Sequence, residues 1–305
     1  MPRVAYLTHA DCAKHDVGPW HPESPERVQA VDAALRAAPW FGELLAIEAP
    51  YATPEQLARA HTQAHVDAVR AAVPEQGVTW LDPDTGLTPH SWHAACAAAG
   101  AAVRAVDTVM AGAAQRAFCN VRPPGHHAEA DRAMGFCLFN NAAIGIHHAL
   151  AVHGLARVAL VDFDVHHGNG SEDILRDETR VLLLSSFRHP FYPHSGAQPH
   201  AGYVPVPLPA GADGRLFREA FERDVLPGLD AFRPELICVS AGFDAHRNDS
   251  LGGLNLLEDD YAWITRTLCA LADRHAQGRL VSVLEGGYDL GALGRSAVAH
   301  VEAMR

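Results

Sequence analysis

The stretch Val158–Gly170, VALVDFDVHHGNG, indicates both the fold of this chain and the place of its chemistry. It opens as a run of apolar residues, which is typical of a strand buried on both faces of a parallel sheet. It ends in aspartates and histidines, and the carboxyl end of such a strand is where ligands and catalytic groups collect. Asp164 and His166 are two residues apart, so their side chains can converge on one metal ion where the backbone stays extended. A metal site at this strand end is the first hypothesis.

Apolar segments on both sides of this strand extend it into a sheet. The predicted strands are Val4–Leu7, Ala117–Val121, Val158–Phe163, Val181–Phe187, Glu235–Ala241 and Arg279–Leu284. Helical patterns alternate with them; one opens at Ser24 as a capping residue before a proline, and others cover Ser91–Gly112 and Asn140–His153. This alternation predicts an α/β fold in which helices cover both faces of a central parallel sheet.

Nothing in the sequence divides the chain. It contains no internal repeat, low-complexity tract or Gly/Ser linker, so residues 1–305 are interpreted as a single domain. The interval Arg188–Gly214 is dense in proline, glycine and histidine and is predicted to be a long loop at the carboxyl edge of the sheet. Long ordered loops in a compact domain usually carry function.

The composition is that of an ordinary globular protein, with 48% hydrophobic and 20% charged residues among 305. A formal net charge of −12 argues against nucleic-acid binding, whereas an acidic rim could attract a positively charged substrate.

No stretch is long and apolar enough to span a bilayer, and the N-terminus turns polar too soon for a signal peptide. The six cysteines form no CxxC pair, which indicates reduced thiols in a cytoplasmic protein. A homo-oligomer remains an open alternative.

Four strand ends carry the unusual residues of this chain. They are Arg122–His127 (RPPGHH), Asp162–Gly170 (DFDVHHGNG), Ser240–His246 (SAGFDAH) and Glu285–Asp289 (EGGYD). In a parallel sheet these ends emerge on the same edge, so residues far apart in sequence can meet in one cleft. Each motif alone is a weak signal, and their joint occurrence favours a functional cleft.

As chemistry, this set is nearly complete for metal-assisted hydrolysis. Asp164, His166 and Asp244 can supply three ligands to a divalent cation and leave positions open for water and substrate, as in a catalytic site. Zinc and ferrous iron both suit such ligands. Binuclear manganese hydrolases of the arginase type continue Asp–x–His with a further aspartate. Here that position is Gly168, which favours a single catalytic ion.

Other residues at the same edge could move protons and stabilise charge. His126 and His127 are candidates for the general base and the general acid. Tyr288 follows two glycines that let the backbone approach closely, and it could donate a hydrogen bond to a developing oxyanion. Asp162 and Asn169 are placed to orient the imidazoles.

The chain resembles the zinc-dependent histone deacetylase family, which also includes acetylpolyamine amidohydrolases and acetoin utilisation proteins. The matching motifs stand in the family's order: HPESPERV (21–28), RPPGHH, GFCLFNN (135–141), DFDVHHGNG, AGFDAH and EGGYDL. The EGGY form and Asn169 are more similar to class II than to class I enzymes. The resemblance runs across nearly the whole chain and implies the arginase/deacetylase α/β fold.

The resemblance also implies roles for single residues. Asp164, His166 and Asp244 would be the zinc ligands, and His126 and His127 the tandem histidines. Tyr288 would be the tyrosine that polarises the substrate carbonyl. Family members hold a structural potassium ion near the zinc, and its ligands would correspond to Asp162, Asp164, His166, Ser185 and Ser186.

The family's substrate tunnel is walled by two aromatic side chains. Phe136, which follows Gly135, matches the first, and Tyr192 stands where the second is usually phenylalanine. Class II polyamine deacetylases place a glutamate at the tunnel mouth. This chain has Leu251 at that position, and a leucine there is more similar to the lysine deacetylases. Asp84 matches an acidic rim residue that holds the substrate backbone, although its carboxylate could instead attract a polyamine cation.

The sequence therefore favours a zinc-dependent amidohydrolase that removes an acetyl or other acyl group from an amine, with N-acetyl-lysine as the preferred substrate. An acetylpolyamine or another small metabolite is the alternative. A catalytically silent protein that binds acylated amines is a third hypothesis, and the absence of a ligand, histidine or tyrosine would have supported it. None of these residues is missing.

Overall fold

The structure is a computed structural model, and it describes residues 3–305. Ten strands follow one another along the chain: β1 Val4–Thr8, β2 Leu45–Glu48, β3 Thr79–Trp80, β4 Gly86–Leu87, β5 Arg116–Cys119, β6 Val158–Asp162, β7 Val181–Arg188, β8 Tyr203–Leu208, β9 Leu236–Ala241 and β10 Leu280–Leu284. Eight of them form one sheet in the order β2-β1-β5-β10-β9-β6-β7-β8, and every neighbouring pair is parallel. The short strands β3 and β4 pair as a separate antiparallel hairpin.

Ten α-helices connect these strands. They are α1 Glu26–Ala37, α2 Pro54–Leu57, α3 Gln63–Ala71, α4 Ser91–Met110, α5 Asn141–Val152, α6 Asn169–Leu175, α7 Gly214–Ala220, α8 Leu226–Phe232, α9 Glu258–His275 and α10 Leu290–Ala303. Short 3₁₀ turns lie at Ala10–Ala13 and Phe41–Glu43, and one π-helical turn, Phe221–Val225, joins α7 to α8.

Helices cover both faces of the sheet because successive side chains of each strand point to opposite sides. On β6, Val158 and Leu160 belong to a buried apolar layer that includes residues of α4 and α5. Ala159 and Val161, between them, belong to a second layer with residues of α1, α9 and α10. The predicted α/β architecture with its central parallel sheet is confirmed.

The six predicted strands recur within one or two residues at their ends, but the two edge strands of the sheet and the short hairpin β3–β4 were missed. Tyr203–Leu208 forms β8 inside the interval that was predicted to be only a loop. Its prolines, Pro205 and Pro207, masked the strand pattern, and they are tolerated because β8 pairs on one side only, at the sheet edge. The other edge strand, Leu45–Glu48, is also short and half exposed.

The start of α1 differs from the expected capping arrangement. The helix begins at Glu26, and Pro25 occupies the capping position without a side-chain hydrogen bond. Ser24 lies one residue earlier, and its carbonyl oxygen accepts a hydrogen bond from the Arg27 backbone N–H at 3.1 Å.

No helix within residues 3–305 combines the length and the apolar character needed to cross a membrane.

Candidate active site

Three candidate metal ligands meet at the carboxyl edge of the sheet. Asp164 and His166 follow β6, and Asp244 follows the neighbouring strand β9. The His166 Nδ1 atom lies 3.1 Å from Asp164 Oδ1 and 3.2 Å from Asp244 Oδ2. Metal–ligand bonds of about 2.0–2.2 Å in a tetrahedral shell give ligand–ligand distances of roughly 3.3 Å. The three atoms are therefore spaced to share one divalent cation.

The two carboxylates of this cluster are fully buried and close to each other. Burial and the charge of Asp164 raise the pKa of Asp244 to about 7, which reflects the cost of placing two negative charges together. No described residue donates a well-aligned hydrogen bond to Asp244 Oδ2, although His166 Nδ1 lies 3.2 Å away. Carboxylate and imidazole donors with one orphaned buried oxygen fit a zinc ion, which would neutralise this charge.

Hydrogen bonds from the backbone hold the ligands in place. The Val165 N–H donates to Asp244 Oδ1 at 2.9 Å, and the Gly286 N–H donates to Asp164 Oδ2 at 2.8 Å. Asp244 thus keeps Oδ2 for the cluster, whereas Asp164 Oδ1, which faces the cluster, also accepts the His166 backbone N–H at 2.9 Å. Residues from the ends of β6, β9 and β10 fix the site together.

The tandem histidines lie beside this cluster, on the loop that follows β5. His126 Nδ1 is 3.0 Å from Asp162 Oδ2, and His127 Nδ1 is 2.8 Å from Asn169 Oδ1. The structure therefore brings Asp162 and Asn169 to the imidazoles, as the sequence predicted. Asn169 Nδ2 donates to Glu129 Oε1 at 2.7 Å, which fixes the amide so that its oxygen faces His127.

The two histidines differ in their electrostatics. Burial opposes a charge on His126, but the carboxylates of Asp164 and Asp162 outweigh it and raise the pKa of His126 to about 10. Burial, together with the positive charges of His126 and His166, holds the pKa of His127 well below its usual range. Asn169 Oδ1 accepts the Nδ1 proton of neutral His127, so the Nε2 lone pair is free to accept a proton.

Tyr288 lines the same pocket as the tandem histidines. Its backbone N–H donates to Asp249 Oδ2 at 2.6 Å, and the Arg27 guanidinium lies 4.9 Å from the centre of its ring. Burial raises the pKa of the phenol well above its usual value, so the hydroxyl stays protonated and can donate a hydrogen bond.

All predicted tunnel and rim residues line one pocket of about 220 Å³ that leads to the candidate ligands. The residues that line it are Asp84, Pro124, His126, His127, Gly135, Phe136, His166, Phe191, Tyr192, Leu251, Gly286 and Tyr288. The Tyr192 ring is perpendicular to that of His127, at 5.2 Å between centres. Gly135 packs on the His127 ring, where a Cβ atom would approach Cδ2 to 2.6 Å.

Sequence reasoning missed three groups that support this pocket. Phe191 stacks on the His166 ring at 5.3 Å, although only its neighbour Tyr192 was assigned to the wall. Asp249 holds the backbone of both Tyr288 and Leu251. Glu285 was quoted within its motif but received no role. An acidic residue directly before two glycines at a strand end was the one signal available for it.

The predicted potassium ligands also lie close together. Asp162 and Ser185 are opposite each other on the paired strands β6 and β7, and both are buried, as is Ser186. The Ser185 hydroxyl has no hydrogen-bond partner within the described part of the chain. An orphaned hydroxyl beside a buried carboxylate fits a monovalent cation held by oxygen atoms.

A second His/Asp cluster has a different character. Asp107 Oδ1 lies 2.7 Å from both His148 Nε2 and His153 Nε2, between α4 and α5. Arg59 Nη1 donates to His148 Nδ1 at 2.7 Å, so a neutral His148 carries its proton on Nε2 and donates it to Asp107. These hydrogen bonds connect α4 to α5 and to the residue that follows it.

Comparisons with known proteins agree with the fold described above. Residues 21–304 match the histone deacetylase domain. An uncharacterized protein of Synechocystis sp. is 39% identical over 97% of each chain, and a histone deacetylase-like amidohydrolase of Pseudomonas aeruginosa is 38% identical over 94% of this chain and 82% of its own. The crystal structure of the HDA15 HD domain superposes with a TM-score of 0.94 and 36% identity, over 99% of this chain and 88% of that one.

Proposed function

This chain belongs to the histone deacetylase domain family, and from that premise we propose that it is a zinc-dependent amidohydrolase acting on N-acylated amines, N-acetyl-lysine foremost. The observation that supports this proposal most is the cluster of Asp164, His166 and Asp244, because its His166 lines the same pocket as both tandem histidines and Tyr288. Family membership supports the deacetylase or amidohydrolase activity.

Each of these side chains has a defined part in the proposed reaction. Zinc held by the three ligands would lower the pKa of a water molecule and polarise the acyl carbonyl. His127, neutral and hydrogen-bonded through Nδ1 to Asn169, accepts the proton of the attacking water at Nε2. His126, paired with Asp162, keeps a positive charge beside the developing negative charge.

Tyr288 completes the arrangement. Its protonated hydroxyl donates a hydrogen bond to the carbonyl oxygen as negative charge develops there. His127 then returns its proton to the leaving amine, and acetate and the free amine are released. Three aromatic side chains line the pocket and exclude water from the acyl group of the bound substrate: Phe136, Phe191 and Tyr192. Asp84 at the rim can accept a hydrogen bond from a substrate backbone N–H.

Two rim residues bear on the substrate. Leu251 lines the pocket where a glutamate would meet the distant ammonium group of an acetylpolyamine, so its apolar side chain supports acyl-lysine. Asp84 supports the acetylpolyamine as the second candidate, because a half-buried carboxylate at the mouth can attract a cation. A small-metabolite substrate of another kind stays within the same amidohydrolase chemistry.

The test is acetate release by the zinc-loaded protein from an acetyl-lysine peptide and from N-acetylputrescine, side by side, with a chelator control. Faster, chelator-sensitive turnover of the peptide is the expected result. Preference for N-acetylputrescine would contradict the argument from Leu251. Zinc binding with turnover of neither substrate would favour a longer acyl chain, an unrelated amide or the silent binding protein.

We also propose that Asp162, Ser185 and Ser186, with backbone carbonyls of Asp164 and His166, hold a structural potassium ion. The buried, partnerless Ser185 hydroxyl supports this assignment. The expected result is a higher Tm in potassium than in sodium buffer, and Ser185→Ala should remove that difference. Equal Tm values in both buffers for the unaltered protein would contradict it.

The whole chain is proposed to be one catalytic domain that works in a reducing compartment. One sheet and two buried apolar layers run through the described residues, which supports a single catalytic domain over 1–305. The six cysteines are buried free thiols, which supports a reducing compartment such as the cytoplasm. Fractionation that recovers the protein outside that compartment would contradict this placement.

A further inference from the structure

A buried carboxylate that the proposed mechanism does not use holds the tandem-histidine loop. Glu285 follows β10 directly and is fully buried. Its Oε2 atom accepts two consecutive backbone N–H groups, from Gly125 at 2.6 Å and from His126 at 3.1 Å. Because β10 and β5 are neighbours in the sheet, the loops that follow them lie side by side. One oxygen atom thus links the β10 end to the loop that carries both histidines.

Glu285 is itself fixed by other parts of the sheet edge. Its backbone N–H donates to the Ala241 carbonyl at 3.0 Å, which ties it to the end of β9. Its carbonyl oxygen accepts a hydrogen bond from the buried Arg27 guanidinium. The next residue, Gly286, donates its backbone N–H to Asp164 Oδ2 at 2.8 Å. The carboxylate therefore connects the histidine loop to a backbone that also contacts a candidate metal ligand.

The second oxygen of this carboxylate makes the arrangement costly. Glu285 Oε1 is buried and has no hydrogen-bond partner among residues 3–305. Burial raises the pKa of Glu285 to about 7, against the opposing effect of the His126 charge. A buried polar group without a partner lowers the stability of the folded protein. Stability alone is therefore a poor explanation for a carboxylate at this place.

We propose that Glu285 is a positioning residue, whose carboxylate holds the backbone at Gly125 and His126 so that both imidazoles face the metal ligands. This inference rests on the proposed function, because it concerns the same reaction. Misplacing a catalytic group by about 1 Å can cost on the order of a hundredfold in rate. The role depends on an oxygen that accepts two N–H bonds and not on the negative charge.

Three variants separate these contributions. Glu285→Gln keeps a carbonyl oxygen for the two N–H groups and places its amide nitrogen at the partnerless position. Glu285→Ala removes the acceptor. Glu235→Ala is the matched control, since Glu235 Oε2 also accepts two consecutive backbone N–H groups, from Ala156 at 2.7 Å and Arg157 at 2.9 Å. Glu235 precedes β9, at the opposite edge of the sheet.

The expected kinetic result is specific to Glu285. Glu285→Ala should lower kcat by about ten- to a hundredfold with KM nearly constant and one zinc still bound per chain. Glu285→Gln should restore kcat to within about threefold of the unaltered protein, and Glu235→Ala should leave kcat unchanged. Full kcat in a folded, zinc-loaded Glu285→Ala protein would overturn the proposal. So would a Glu285→Gln protein as impaired as Glu285→Ala.

Amide hydrogen exchange gives a readout that does not depend on activity. The Gly125 and His126 amides should exchange faster in Glu285→Ala than in the unaltered protein and should remain protected in Glu285→Gln. Unchanged protection in Glu285→Ala would overturn the positioning role. If the unaltered protein releases no acetate from any substrate, the proposed function fails, while the exchange result still decides whether Glu285 holds this loop.

Discussion

At the scale of single residues, two adjacent histidines have opposite electrostatic properties because carboxylates surround His126, whereas His127 lies beside the two imidazoles of His126 and His166. His126 contacts the charged carboxylate of Asp162, whereas His127 contacts the neutral amide of Asn169. The sequence showed which residue types could orient the imidazoles, because both lie in the motif after β6. It could not show which imidazole takes which partner, since that depends on how two strand-end loops approach each other.

Tyr288 provides the sharpest residue-scale prediction. Tyr288→Phe removes only the hydroxyl that donates to the carbonyl oxygen, so kcat should fall by about a hundred- to a thousandfold. Tyr192→Phe is the matched control, because it removes a hydroxyl from the tunnel wall and should change kcat far less. Turnover and zinc stoichiometry are measured together for both variants. Equal kcat values for Tyr288→Phe and the unaltered protein would remove Tyr288 from the mechanism.

At the scale of elements, apolar runs predicted the central strands well because those strands are buried on both faces. The edge strands β2 and β8 were missed for the opposite reason, since half-exposed residues and prolines weaken the apolar pattern. The four strand-end motifs were correctly expected to meet, because parallel strands place their carboxyl ends on one edge. The role of Phe191 in the wall could not be predicted, because it depends on the path of the loop after β7.

The β10 end imposes a close backbone approach that gives an element-scale prediction. A Cβ atom at Gly286 would lie 2.1 Å from Asp244 Oδ2, so Gly286→Ala should displace this proposed metal ligand and lower zinc affinity and kcat by at least tenfold. Gly228→Ala in α8 is the control, because the nearest atom to its added Cβ is 3.7 Å away. Zinc titration and acetate release check both variants, and full zinc affinity in Gly286→Ala would contradict the geometry.

At the scale of the whole molecule, buried neutral histidines make the fold sensitive to acid. Burial lowers the pKa of His15 to about 4 and those of His61 and His300 to about 3. The unfolded chain protonates these groups below its histidine pKa of about 6.5, while the folded chain does not. Their contribution to stability is therefore fully present above pH 6.5 and is lost as the pH falls from 6.5 toward 3.

His300→Gln tests this prediction, because glutamine retains amide groups near Thr265 and Ser282, the partners of His300. Between pH 4 and 6 the free energy of unfolding should fall less steeply with decreasing pH in the variant, by about 1.4 kcal/mol per pH unit. Urea denaturation of both zinc-loaded proteins across this range measures the slopes. Identical slopes would show that His300 titrates alike in the folded and unfolded chains.

The central claim is that one zinc ion, held by Asp164, His166 and Asp244, is required for amide hydrolysis. The most direct measurement is acetate release from an acetyl-lysine peptide while zinc is titrated into chelator-treated protein. Activity should be absent at the start, rise in proportion to added zinc and reach its plateau at one zinc per chain. Turnover that persists without metal, or a plateau at two zinc ions per chain, would contradict the single-metal site.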